Sequence, residues 1–361
     1  MHKKCKVGQK FMILEDDKMC KIKSAIVLKD RIYMPFEHDH HTQMLEELGM
    51  KDDSEFPNFV RVEICPVDGD IYNHNLDNWK LSVDQDYRPD WFDADKADKD
   101  CKVKIQEWFD KHFIIDKEVE RLESGIYRVK NSKIKVLGGN AKLLEMWGTS
   151  SVGEMWGTSS VGKMWGTSSV GEMWNTSSVG KMWGTSSVGE MWNTSSVGKM
   201  WGISSVGKMC DTSSVGDMCD TSSVGKMCDT SSVGDMCDTS SVGKMCDTSS
   251  VGGMWNTSSV GEMCDTSSVG KMCDTSSVGK MCDTSSVGKM WGTSSVGKMC
   301  DTSSVGKMYD TSSITIPHSK NVKIKSMHDN ATIKDLSSDK PRIIIADDND
   351  FEIVKHKEAN K

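Results

Sequence analysis

Three histidines and two acids stand in five consecutive residues, Glu37-His38-Asp39-His40-His41. Imidazoles and carboxylates are the donors that zinc and similar divalent ions take, which makes His38, His40 and His41 the metal candidates of the chain. Neighbouring residues seldom converge on one ion, however, and His41 stands before a helical stretch. Capping or solvated roles are therefore expected, and neither a metal nor any other cofactor is assigned. Asp68, Asp70, Asp84 and Asp86 offer carboxylates that sequence alone does not bring together. Nothing resembles a nucleophile elbow, a P-loop or a dinucleotide fingerprint, so the expectation is a chain that is not an enzyme.

A second set of reactive side chains is periodic. Cysteine followed by aspartate recurs every nine residues, as in Cys210-Asp211 through Cys246-Asp247. Thiolates and carboxylates at that spacing could hold a soft metal, but no CxxC pair or histidine accompanies them and the pattern matches no zinc motif. Where the cysteine is missing, tryptophan takes its place: Trp147, Trp156, Trp165, Trp174, Trp183, Trp192 and Trp201 fill seven successive copies. An indole does recognition rather than reaction. Exposed aromatic stripes of that length mark partner or self-association surfaces, and these seven residues are the candidate partner-binding site.

Both sets belong to one nonapeptide, repeated nineteen times in register from Glu145 to Thr315. Number its positions p1 to p9. The first is Lys, Glu or Asp, with Gly253 once; Met fills p2 throughout; p3 is Trp, Cys or Tyr309; p4 is Gly, Asn or Asp. Thr, Ser, Ser, Val and Gly follow, with Ile203 once at p5 and Ile314 and Thr315 closing the last copy. No 3.6-residue periodicity runs through this unit, and a glycine in every copy would cost a helix about 1 kcal/mol each time. Strand-forming Val, Thr and Trp punctuated by Gly, Asn and Asp at fixed period predict a β-solenoid.

The flanking sequence sets the facing. Asn140–Leu143 (NAKL) and Asn330–Ile333 (NATI) align with the TSSV of the repeat, so p6 admits Ala, p7 admits Lys and p8 admits Leu or Ile. Alternation then buries p6 and p8, exposes p7, and after a corner at p9–p1 turns Met at p2 inward. Trp and Cys differ too much in volume to share one core site, which places p3 outside. Nine residues enclose almost no core, so two copies are expected per four-sided coil of eighteen. That stacking puts Glu154, Glu172 and Glu190 in one column and Lys163, Lys181 and Lys199 in another, at a cost of about 0.5–1 kcal/mol each in solvent.

The expected fold is therefore mainly β: a small α+β head over 1–126, a solenoid over 127–336 with degenerate end coils at 127–144 and 316–336, and a C-terminal strand and tail over 337–361. In the head, 58–67 and 78–86 alternate like strands, while 42–50 and 93–113 look helical. Ala97, Cys101, Ile105, Trp108 and Phe109 share one face of the longer helix. The unit SSVGK resembles that of the pentapeptide-repeat family. The stretch WKLSVDQDYRPDWFD, from Trp79 to Asp93, resembles a leader domain of uncharacterised phage, prophage and gut-bacterial proteins, which often precedes solenoid repeats. The resemblance covers about residues 30–145; it implies a phage or bacterial setting and carries no activity with it.

The net charge of −8 does not point to a nucleic-acid partner. The opening residues lack the apolar run of a signal peptide, and no stretch has eighteen apolar residues, so neither export nor a membrane partner is expected. Thirteen cysteines without an export signal suit a reducing cytoplasm. The function expected is a structural or protein-binding rod that takes an unknown protein or a second copy. The alternatives are a metal-dependent head displayed on a spacer, or an ice-binding array of Ser and Thr hydroxyls.

Overall fold

A computed structural model describes residues 23–36, 38–51, 57–316, 321–336 and 342–345. The opening residues read for a signal, Glu37 and the tail 346–361 lie outside them. The chain divides into two compact units, Met1–Phe113 and Ile114–Lys361.

Among the described residues the first unit holds a four-stranded antiparallel sheet in the order β2-β1-β3-β4, with β1 Lys23–Val27, β2 Ile32–Tyr33, β3 Val60–Pro66 and β4 Trp79–Val83. Strand β3 alternates buried and half-buried residues, as its sequence pattern predicts. Helix α1 spans His41–Glu47 and α2 spans Ala94–His112. Asp93 caps α2 by accepting from the amides of Asp95 and Lys96. The buried face of α2 is Ala97, Cys101, Ile105, Trp108 and Phe109, the five expected. Burial pushes the Cys101 thiol up to about 12, which marks it as packing rather than chemistry.

The second unit is the solenoid. Each repeat contributes one five-residue strand, p7 to p2, and successive strands alternate between two sheets. Among the described residues sheet I has fourteen strands and includes Ser151–Met155, and sheet II has thirteen and includes Ser160–Met164. Strands pair in parallel with residues eighteen apart, as in Val152 with Val170 and Met155 with Met173, so one coil holds two repeats. The ladder begins earlier than the sequence indicates: Phe113–Ile115 and Glu118–Leu122 already pair within the two sheets. Their side chains do not resemble the repeat, so periodicity did not mark them. At the far end Arg342–Ile345 pairs antiparallel with Thr332–Asp335 and closes sheet I with the further strand expected there.

The core is two residues per repeat plus a serine. Met at p2, Val at p8 and Ser at p6 are all buried, as are Ala141, Leu143, Ala331 and Ile333 of the end coils. Ser150, Ser267 and Ser303 donate to the p3 carbonyl three residues back.

The p9–p1 pair forms a bend inside a continuous strand. Val at p8 and Met at p2 both face inward although two residues separate them, which strict alternation forbids. The register explains how. Ser, Val, p1 and Met pair across coils while p9 has no partner, the signature of one extra residue absorbed in each strand. Glycine lets successive coils close on that bend: a Cβ on Gly225 would lie 2.5 Å from the carbonyl oxygen of Gly207. In the end coils Lys135, Leu144 and Lys325 occupy the same place, so glycine serves the close approach within the array rather than the bend itself. Where Thr315 replaces it, Thr315 pairs with Lys334 and the strand runs straight, turning Ile316 inward.

The p3–p6 segment makes the tight turn. Its p4 residue has positive φ in every copy, from Gly148 at 67° to Asp310 at 55°, which restricts the position to Gly, Asn and Asp. The non-glycine choices add a bond: Asp229 accepts the amide of Asp211 at 3.2 Å and Asp247 that of Asp229 at 3.2 Å, each stitching a coil to the one before. Thr at p5 adds another, as Thr230 donates to the Asp211 carbonyl at 2.9 Å.

Gly225→Ala inside the array should lower stability by about 1–3 kcal/mol through forced separation of two coils. Chemical denaturation of the variant against the parent measures it, and an unchanged midpoint would show that the coils have slack at p9.

Candidate functional site

The head's histidines do not converge. His38 pairs with Glu47 at 3.0 Å, whereas His41 faces Asp84 at 3.2 Å and the Val62 carbonyl at 3.1 Å. His40 is the N-cap of α1 without a side-chain capping bond, and His41 is the first helical residue. The hydrogen bonds from Tyr33, His38 and Gln43, the first the largest, hold Glu47 below the usual carboxylate range. Asp68 accepts from the Asp70 amide and from Asn73, and Asp70 from the Tyr72 amide, so those two shape a turn while Asp84 serves His41. Among the described residues no three His, Cys, Asp or Glu side chains gather as a chelating group.

The residues of the VDQD stretch also have structural work. Gln85 accepts from the Arg61 amide at 2.9 Å and donates to the Phe59 carbonyl at 3.1 Å, pinning the chain beyond β4 to β3. Trp79 is buried, its indole N–H donating to the Asn73 carbonyl at 2.9 Å.

The p3 side chains form two ladders. Odd and even repeats belong to different sheets, so the seven tryptophans sort into Trp147, Trp165, Trp183 and Trp201 beside sheet II and Trp156, Trp174 and Trp192 beside sheet I. Rings stack nearly parallel with centroids 4.1–5.3 Å apart along each ladder. The indoles are partly covered rather than buried, and Trp156 is 37% exposed. Their outside facing follows from the bend: p1 and p3 are two residues apart and lie on the same outer surface.

That shared surface gives each ladder a charge. On sheet I, Glu154, Glu172 and Glu190 stack in register, and each accepts the indole N–H of its own repeat at 2.8–3.1 Å. On sheet II, Lys163, Lys181 and Lys199 stack, with ammonium groups 5.4–6.0 Å from the rings of Trp183 and Trp201. The like-charge columns expected from the sequence are real, and the indoles beside them offset part of the repulsion. Lys199 ends its column in a 3.0 Å ion pair with Asp217.

Past Trp192 the column on sheet I continues as Cys210, Cys228, Cys246, Cys264, Cys282 and Cys300, the register following the strands that precede each. Burial pushes the thiols of Cys210, Cys246, Cys264 and Cys282 up, opposed by nearby lysines. Counting repeats alternately would have exposed this run of six in the sequence; read singly, cysteine and tryptophan look interspersed.

Trp183→Cys should cost about 1–3 kcal/mol, the loss of stacking on Trp165 and Trp201, while Met182→Asp places a charge in the core and should cost more than that or prevent folding. Thermal denaturation of the pair decides it: a greater loss from the Trp183 change would put p3 in the core.

No family model, no curated protein and no solved structure matches the chain.

Proposed function

We propose that the chain is a non-catalytic structural or protein-binding rod of phage or bacterial origin, working inside a cell, and that its Trp-rich half, 145–207, is the interaction surface. The observation that carries this reading is the pair of stacked indole ladders, solvent-facing and concentrated in one half of the array; the far end has a single short stack of Trp291, Tyr309 and His328. Aromatic side chains supply the largest binding energies where a partner dries them, and stacking fixes these rings in advance, which lowers the entropy lost on docking.

Among partners, a second copy suits the charge pattern. The acidic column beside one ladder and the basic column beside the other share the coil repeat of about 4.8 Å, so sheet I of one rod matches sheet II of another rung for rung. The ice-binding reading is less well supported, because the p5 hydroxyls are spent on carbonyls of the preceding coil, as at Thr176 and Thr194. Among the described residues no helix is long and apolar enough to cross a membrane.

Replacing Trp165, Trp174, Trp183 and Trp192 by Ser should abolish self-association in sedimentation velocity and leave the far-ultraviolet circular dichroism unchanged. In the parent, association should weaken as salt rises. Unaltered association in the Trp variant, with loss instead on changing Cys219, Cys228, Cys237 and Cys246, would move the working surface to the other half.

A further inference from the structure

The column of six thiols on sheet I has three properties that no single cysteine has. Its members follow strands paired on successive coils, so neighbouring cysteines are one rung, about 4.8 Å, apart along the backbone ladder. Neighbours reach one another: Cys210 hydrogen-bonds to Cys228, and Cys282 to Cys300. Beside the column, on the same outer surface, runs a p1 column of Lys208, Lys226, Lys244, Lys280 and Lys298, interrupted once by Glu262. Lys208 and Lys280 hydrogen-bond to the sulfurs of Cys210 and Cys282.

We propose that this column binds soft monovalent cations, copper(I) being the type case, each held in line between the sulfurs of two adjacent rungs. A zinc–thiolate bond is about 2.3 Å and a two-coordinate copper(I) bond is shorter, so two in line fall just short of the rung spacing, and rotation of the two side chains closes the difference without bending the backbone. Soft thiolate donors select such ions over hard ones. Zinc needs four ligands in a tetrahedron, and a straight column offers two sulfurs to each gap. The p4 carboxylates do not complete a higher shell, since Asp211, Asp229, Asp247, Asp265 and Asp283 each accept a backbone amide of the preceding coil or continue that chain of bonds.

The binding step balances as two thiols plus one cation giving a dithiolate complex of single negative charge and two released protons. Six thiols used in separate pairs take about three ions, and the lysine column supplies the compensating positive charge. This site is independent of the Trp ladders and goes beyond the rod reading.

Anaerobic titration of the reduced full chain with copper(I), in competition with a chromophoric copper(I) chelator, tests it. About three ions per chain should remain on the protein when Cys219, Cys237 and Cys273 on sheet II are replaced by Ser. Replacing Cys228, Cys264 and Cys300 in that same background leaves Cys210, Cys246 and Cys282 two rungs apart, and the ladder-bound copper should then vanish; the background is needed because Cys219 and Cys237 are themselves neighbours on sheet II. Retention of half of it would show thiols acting singly and overturn the proposal, as would failure of the parent to hold copper against the chelator. X-ray absorption of the loaded parent provides a check that needs no variant: two sulfurs at a distance shorter than the roughly 2.3 Å of four-coordinate zinc thiolate support the geometry, and a shell of three or four ligands contradicts it.

Discussion

In-register parallel pairing is the constraint from which the rest of the solenoid follows. When residue i bonds to residue i+18, every side chain lies on the equivalent side chain of the next coil. A property of one residue becomes a property of a column: Met on Met makes a continuous core, Trp on Trp a stacked ladder, Lys on Lys a charged edge, Cys on Cys a row of thiols. A lone repeat buries a methionine, a valine and a serine, too little to order its own backbone. Stability therefore comes from neighbours, through the ladder bonds and the turn bonds of p4 and p5.

The same constraint makes like charges a recurring difficulty, and the chain relieves it in three ways. Indole N–H groups donate to the glutamates, ring faces lie near the lysines, and opposite charges meet where columns change sign, at Lys199 with Asp217 and Lys244 with Glu262. All of these are solvated interactions of small individual size. Their importance lies in sorting: alternation of Glu and Lys along the sequence becomes separation onto two sheets in space.

Much of this was legible because the repeat is so regular. The inward facing of p2, p6 and p8 came from the end coils, where Ala141, Lys142 and Leu143 reveal what Ser, Ser and Val conceal by sameness. The head's helix was legible from five residues on one face. Other features were hidden for physical reasons. Glycine at p9 reads as a corner, and only the unpaired register shows that a strand passes through it with one residue to spare. Residues 113–122 join the ladder by backbone pairing, which asks little of side-chain identity. The histidines looked like a ligand set because they are adjacent in sequence, but His38, in the loop before α1, pairs with Glu47 while His41, the first residue of α1, faces Asp84.

The claim that one coil holds two repeats is tested most directly by proximity on the outer surface. With the native cysteines replaced by Ser, pyrene attached at Cys substituted for exposed Lys271 and Lys289, which pair across one coil, should give strong excimer emission. The same label at positions 271 and 280, nine residues apart and on opposite sheets, should give monomer emission alone. Excimer from the nine-residue pair and none from the eighteen-residue pair would mean that each repeat closes its own coil, and the two-sheet account would fail.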